Sequence, residues 1–144
     1  MAPVKGGCYC GEIEFTIDDD AAFQGGGVLC HCATCQKLHT QNSYNLQTKT
    51  KALDVTKGKT TIFEDTKTDS GMTAHRHFCP TCGSHLYSIA GSAPDVLIVK
   101  VGSLENAKSI KPIASIYVES ALEHSLLPKV GGIKRFEGMM KKEV

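Results

Sequence analysis

Phe78-Cys79-Pro80-Thr81-Cys82-Gly83-Ser84 is the stretch from which the rest of this sequence is read. Two cysteines separated by two residues turn both sulfurs toward one point, as a tetrahedral Zn²⁺ requires at Zn–S distances of about 2.3 Å. Pro80 fills a position that can forgo a backbone donor, and Gly83 permits the positive φ of a tight knuckle. Upstream, Met72 to Phe78 sets Met72, Ala74 and Phe78 against Thr73, His75 and His77, with Arg76 interrupting the apolar face. Downstream, Ser84 to Ile89 reads as a second strand. The spacing predicts a zinc-ribbon-like hairpin closed around a metal ion.

The other cysteines have the same grouping. Cys8-Tyr9-Cys10 lies inside Gly6-Gly7-Cys8-Tyr9-Cys10-Gly11, and Cys30-His31-Cys32-Ala33-Thr34-Cys35 forms the third cluster; the seven cysteines of the chain all fall in these three groups. Four sulfurs close a structural zinc site, whereas a catalytic site keeps three protein ligands and an open position. The natural partition joins Cys8, Cys10, Cys79 and Cys82 in one closed site and leaves Cys30, Cys32 and Cys35 for an open one. The odd count, the absence of an apolar leader in Met1-Ala2-Pro3-Val4-Lys5 and the strain of a C-x-C bridge all disfavour disulfides. Two alternatives stay open. A single metal could be completed by one of His31, His39, His75, His77 or His85, and thiolates also suit an iron–sulfur cluster.

A chain of 144 residues is most simply one domain, spanning 1–144 with a core of about 4–138, and no repeat or linker divides it. Aromatic residues are 6% of the chain and Trp is absent, so metal staples are expected to carry part of the stability. Two Zn²⁺ on seven thiolates would move the formal net charge from +1 to about −2, which offers no electrostatic grip on nucleic acid. No stretch approaches the ~20 apolar residues of a membrane span. A small-molecule substrate and a reducing, cytoplasmic compartment are the expectation; the sequence leaves the oligomeric state open.

The remaining segments read as short strands. Glu12 to Ile17 alternates strictly, with Ile13, Phe15 and Ile17 on one face, and Asp18-Asp19-Asp20 ends it in a solvated turn. Gly25-Gly26-Gly27 breaks the chain before Val28-Leu29-Cys30. Cys32 to His39 suits a turn or two of helix, which would bring Lys37 and His39 near the open metal, Lys37 to orient a thiol or anion. Ser43–Leu46, Ala52–Val55, Thr60–Glu64 and Ile113–Val118 read as strands, and Val96–Val101 as the most apolar and central one. Leu104 to Ala107 suits one helical turn. Together these predict an all-β, mainly antiparallel domain of short strands, stapled by zinc.

The ordered motifs Gly6-Gly7-Cys8-Tyr9-Cys10-Gly11, Cys30-His31-Cys32 through Cys35 and Lys37, Arg76-His77-Phe78-Cys79-Pro80 through Cys82-Gly83-Ser84, and Val101-Gly102-Ser103-Leu104 resemble the glutathione-dependent formaldehyde-activating enzyme/centromere protein V family. The resemblance runs from about Val4 to Gly138. It implies Cys8, Cys10, Cys79 and Cys82 as structural ligands and Cys30, Cys32 and Cys35 as catalytic ones, in agreement with the partition from ligand counting. It also implies a carbon–sulfur lyase reaction that joins glutathione, as co-substrate, and formaldehyde into S-hydroxymethylglutathione. Gln36, Leu38, His39 and Thr40, and the stretch Ala121-Leu122-Glu123-His124, stand where the pocket lining is expected. A different small carbonyl substrate, with His39, His75 or His77 moving protons, and a non-catalytic binding role are the alternatives carried forward.

Overall fold

The computed structural model describes residues 2–122, 134–139 and 142–143. Alternation of apolar and polar residues builds two sheets. The smaller has three antiparallel strands in the order β1 (Val4–Gly7), β2 (Glu14–Ile17), β5 (Leu53–Lys57). The larger contains β3 (Gly27–Cys30), β4 (Ser43–Lys49), β6 (Thr61–Asp65), β7 (Ala74–Phe78), β8 (His85–Ala90), β9 (Ala93–Lys100), β10 (Pro112–Ile116), β11 (Lys134–Glu137) and β12 (Lys142–Glu143). Its order is β12-β11-β10-β3-β4-β9-β8-β7-β6. Pairing is antiparallel except where β10 lies parallel to both β3 and β11. The all-β, mainly antiparallel expectation therefore holds, with β9 near the middle of the large sheet.

Side chains of a strand alternate between faces, and this period places the core. Ile13, just ahead of β2, and Phe15 and Ile17 within it meet Leu46, Leu86, Tyr87, Leu97 and Val99 from the large sheet, all buried. Removing each such aliphatic side chain from water contributes roughly 1.5–3 kcal/mol. Phe15 and Tyr87 meet edge to face at 5.8 Å. Gly6 is required here, because a Cβ at that position would lie 2.5 Å from the Phe15 ring. On the opposite face of the large sheet, Val28, Cys30, Cys35, Ala114, Ile116 and Phe136 form a second apolar cluster.

Several local readings shift. The acidic run after β2 opens a helix, α1 (Asp20–Gly25), because the Asp19 carboxylate caps it by accepting from the Ala22 N–H and also accepts from the Thr48 hydroxyl at 2.7 Å. The helical turn expected at Leu104–Ala107 is split: 3₁₀ turns occupy Val101–Ser103 and Ala107–Ser109, while Leu104 bridges to Gly6. The strand expected at Val96–Val101 starts earlier, at Ala93, and ends at Lys100. Helix α2 (Ala33–His39) forms where a turn or two was expected, and it ends at Thr40 with φ 71°. Among the described residues no helix is long and apolar enough to cross a membrane.

Candidate metal centres

Two hairpin tips make the first centre. Cys8 and Cys10 sit on the β1–β2 connection, where Cys8 N–H donates to Ile13 O at 3.1 Å. Cys79 and Cys82 sit on the β7–β8 connection, where Cys79 N–H donates to Ser84 O and Gly83 N–H to Cys79 O, each at 2.9 Å. Gly83 has φ +73°, the conformation the knuckle was expected to need. The Cys8 and Cys10 sulfurs are 3.6 Å apart, and those of Cys10 and Cys79 are 3.7 Å apart. Ligands on a tetrahedron of 2.3 Å bonds would stand about 3.8 Å apart. The four sulfurs thus fit one metal ion, and the ion would join the small sheet to the large one.

Polar groups around these sulfurs suit thiolates. Ile13 N–H points at Cys8 Sγ from 3.2 Å. Ser84 Oγ accepts from Tyr9 N–H at 3.1 Å, which leaves its own hydrogen for Cys82 Sγ at 3.1 Å. That hydroxyl, followed by the Ser84 backbone N–H, pulls the Cys82 thiol down to about 5.

The second centre comes from one continuous segment. Cys30 ends β3, Cys32 caps α2, and Cys35 lies in its first turn, with the Cys35 N–H donating to Cys32 Sγ at 3.3 Å. The three sulfurs lie within 4.8 Å of one another, as do the four of the first centre, and among the described residues no histidine nitrogen or carboxylate joins either group. The partition into four and three is therefore the one the fold assembles. Hydrogen bonding from Cys30 and then Cys32, with help from Ser43 and Lys100, pulls the Cys35 thiol far down, while Cys32 and Cys35 together push Cys30 up.

Polar side chains line the sheet beside this group. Ser43 Oγ lies 3.0 Å from Cys35 Sγ, Asn45 Nδ2 2.8 Å from Ser43 Oγ, and Lys100 Nζ 2.7 Å from Asn45 Oδ1. Arg76, on the same face, pairs with Asp65. Tyr117, with a left-handed φ of 55°, packs against the second apolar cluster and donates its hydroxyl to Asp69.

A cavity of about 490 Å³ opens between the two centres, lined among others by Cys8, Tyr9, Leu38, His39, His85 and Lys100. None of the sulfurs of the three-cysteine group lines it; Lys100 is the residue that borders the cavity and also heads the polar row leading to Cys35. His39 is held neutral, its pKa pushed down to about 4 by burial and then by the neighbouring Lys100 and His85. Its ring meets His85 edge to face at 4.8 Å.

The sequence-nominated residues divide clearly. His39 and Leu38 reach the cavity, whereas Lys37 is exposed on α2 and does not line it. His75 and His77 share a face, but it is the face opposite the three cysteines: His77 stacks on Tyr87 at 4.5 Å and accepts or donates at Thr60 Oγ, 2.8 Å away. His31 is fully buried with neither ring nitrogen partnered among the described residues. Gln36 bonds the carbonyls of His31 and Ser120. Of the stretch 121–124, Glu123 and His124 lie outside the described residues. Ser43, Asn45 and Lys100 escaped the sequence reading; their polar side chains on strands otherwise rich in apolar residues were the available signal.

A family model described as glutathione-dependent formaldehyde-activating enzyme matches residues 3–120. This chain belongs to that family. All seven cysteines and the Ser43–Asn45–Lys100 row fall within the matched span of the glutathione-dependent formaldehyde-activating family. A crystal structure of a Rhodobacter sphaeroides protein, a structural genomics target, superposes with a TM-score of 0.59 at 24% identity, covering 75% of this chain and 97% of that one. That likeness concerns the fold alone. No curated protein matched the sequence.

Proposed function

We propose that this chain is a zinc-dependent carbon–sulfur lyase-type enzyme that handles a glutathione–aldehyde adduct, with formation of S-hydroxymethylglutathione as the family default. The observation that carries the reading is the three-sulfur group, which lacks a fourth protein ligand among the described residues while its neighbour has four. Cys30, Cys32 and Cys35 would hold the catalytic Zn²⁺, and Cys8, Cys10, Cys79 and Cys82 the structural one. At the open position the ion would supply Lewis acidity toward an aldehyde oxygen, or stabilise a substrate thiol in its anionic form.

The chain's own groups account for the rest. The apolar cluster of Val28, Ala114, Ile116 and Phe136 keeps water from one side of the cysteines. His39, neutral near pH 7, can take the proton that the thiol releases and return it to the oxygen of the adduct. The nearby cavity is large enough for a small-molecule co-substrate, and seven unpaired cysteines suit a reducing compartment such as the cytoplasm. The same cavity favours, as a second reading, another small carbonyl compound, because among the described residues Lys100 is the one lysine or arginine lining it, and none of these residues is dedicated to the two carboxylates of glutathione.

The test is exchange spectroscopy by NMR on glutathione and formaldehyde with zinc-loaded protein. Faster interconversion with the adduct, lost in Cys32→Ser, supports the proposal. Protein that neither binds glutathione nor changes the interconversion rate sinks it.

A further inference from the structure

We infer that Lys100 fixes the direction of a buried hydrogen-bond chain, Lys100–Asn45–Ser43–Cys35, which ends in a hydroxyl donor held on the Cys35 sulfur and so orients that sulfur as a metal ligand. This rests on the reading of the three-cysteine group as a metal site. The chain follows from the sheet register. Lys100 and Asn45 are paired residues of β9 and β4, and Asn45 and Ser43 stand two apart on one face of β4. Ser43 is in turn paired with Cys30 of β3. Lys100, Asn45 and Ser43 are all buried, which limits competition from water for their polar atoms.

Each link orients the next, and Asn45 Nδ2 also lies 3.4 Å from the Ser43 carbonyl. Lys100 Nζ donates to Asn45 Oδ1, so Asn45 presents its carboxamide oxygen to β9. The carboxamide is planar, and that choice turns Nδ2 toward Ser43 Oγ, which accepts. The remaining hydrogen of Ser43 has, among the described residues, the Cys35 sulfur as its acceptor. Three donations therefore point the same way and end on one sulfur. A donor fixed on a ligating sulfur holds that ligand's orientation and favours metal binding at the centre, as outer hydrogen bonds to metal ligands do. The four-cysteine centre has its own donors in Ile13 and Ser84 and is independent of Lys100.

Asn45→Asp tests the direction with little change of shape. Aspartate still accepts from Lys100 but has no N–H, so the Ser43 hydroxyl turns to the new carboxylate and away from Cys35. Competition with a chromophoric chelator, on protein carrying zinc in both centres, should show the three-cysteine affinity about 10–100-fold weaker and the four-cysteine affinity unchanged. With Co²⁺ in place of zinc, the sulfur-to-metal charge-transfer absorption of the weaker centre should shift as well. Ser43→Ala should reproduce both effects, and Ser43→Thr, which keeps the hydroxyl donor, should retain wild-type affinity and absorption, which keeps the test decisive if Asn45→Asp fails to fold. Wild-type affinity and absorption in folded Asn45→Asp or Ser43→Ala protein would overturn the chain. Uptake of a single metal equivalent by wild-type protein would instead overturn the metal reading of the three cysteines, and the chain with it.

Discussion

Arg76 donates twice to one carboxylate oxygen of Asp65, from Nε at 2.9 Å and from Nη2 at 2.7 Å. The pair closes the edge of the large sheet on the face that carries the three cysteines, and both side chains are largely withdrawn from water. Asp65→Asn keeps the shape and leaves Arg76 without its counter-charge, so unfolding in denaturant should become easier by about 3 kcal/mol. Burial alone would raise the Asp65 pKa, but the Arg76 hydrogen bonds and the Lys67 N–H overcome it and hold the carboxyl below its ordinary 3.8. A depressed folded value means that the stabilisation is complete above the unfolded value and is lost as pH falls through the folded one. The difference in stability between wild type and Asp65→Asn, followed by circular dichroism, should therefore shrink as pH drops below about 4.

Metal content separates the two centres. Elemental analysis should find two zincs per chain in wild type. Cys32→Ser should lose one and remain a soluble, cooperatively melting fold, because its centre lies within one loop and helix. Cys82→Ser should lose the ion that joins two hairpin tips more than 60 residues apart in sequence, with a large fall in melting temperature or insoluble protein.

His39 should titrate well below an ordinary histidine. Its folded pKa, about 4 against 6.5, means that the unfolded chain takes up a proton that the folded ring refuses. Stability should therefore fall as pH drops from 6.5 toward 4, and His39→Gln should remove that part of the slope. Histidine ring shifts in NMR spectra check the value directly. A His39 midpoint near 6.5 would remove burial beside Lys100 as the controlling effect.

Leu97→Ala should cost about 3 kcal/mol, measured by denaturant unfolding of metal-loaded protein. Leu97 is fully buried in β9, the strand between β4 and β8, where a cavity cannot collapse without moving both neighbours.

Much of this molecule was legible in its sequence, and for local reasons. Cysteines two or three positions apart can turn their sulfurs toward one point, so the candidate ligands of both centres could be proposed from spacing and ligand counting. Strict alternation at Ile13, Phe15 and Ile17 set a strand face, because side chains on a strand repeat every two residues. The Cys79–Gly83 knuckle carried its own turn chemistry.

Tertiary structure decided what depends on pairing distant strands. His75, Arg76 and His77 are adjacent in sequence, and the pleat alone could not say which face would meet the cysteines; pairing through β8 to β9 puts Arg76 there and the two histidines on the other side. Lys100 and Asn45 are 55 positions apart, and only their register across β4 and β9 makes them one chain ending on Cys35. Spacing along the chain determined which atoms could ligate a metal; the sheet register determined which buried charges and donors surround them.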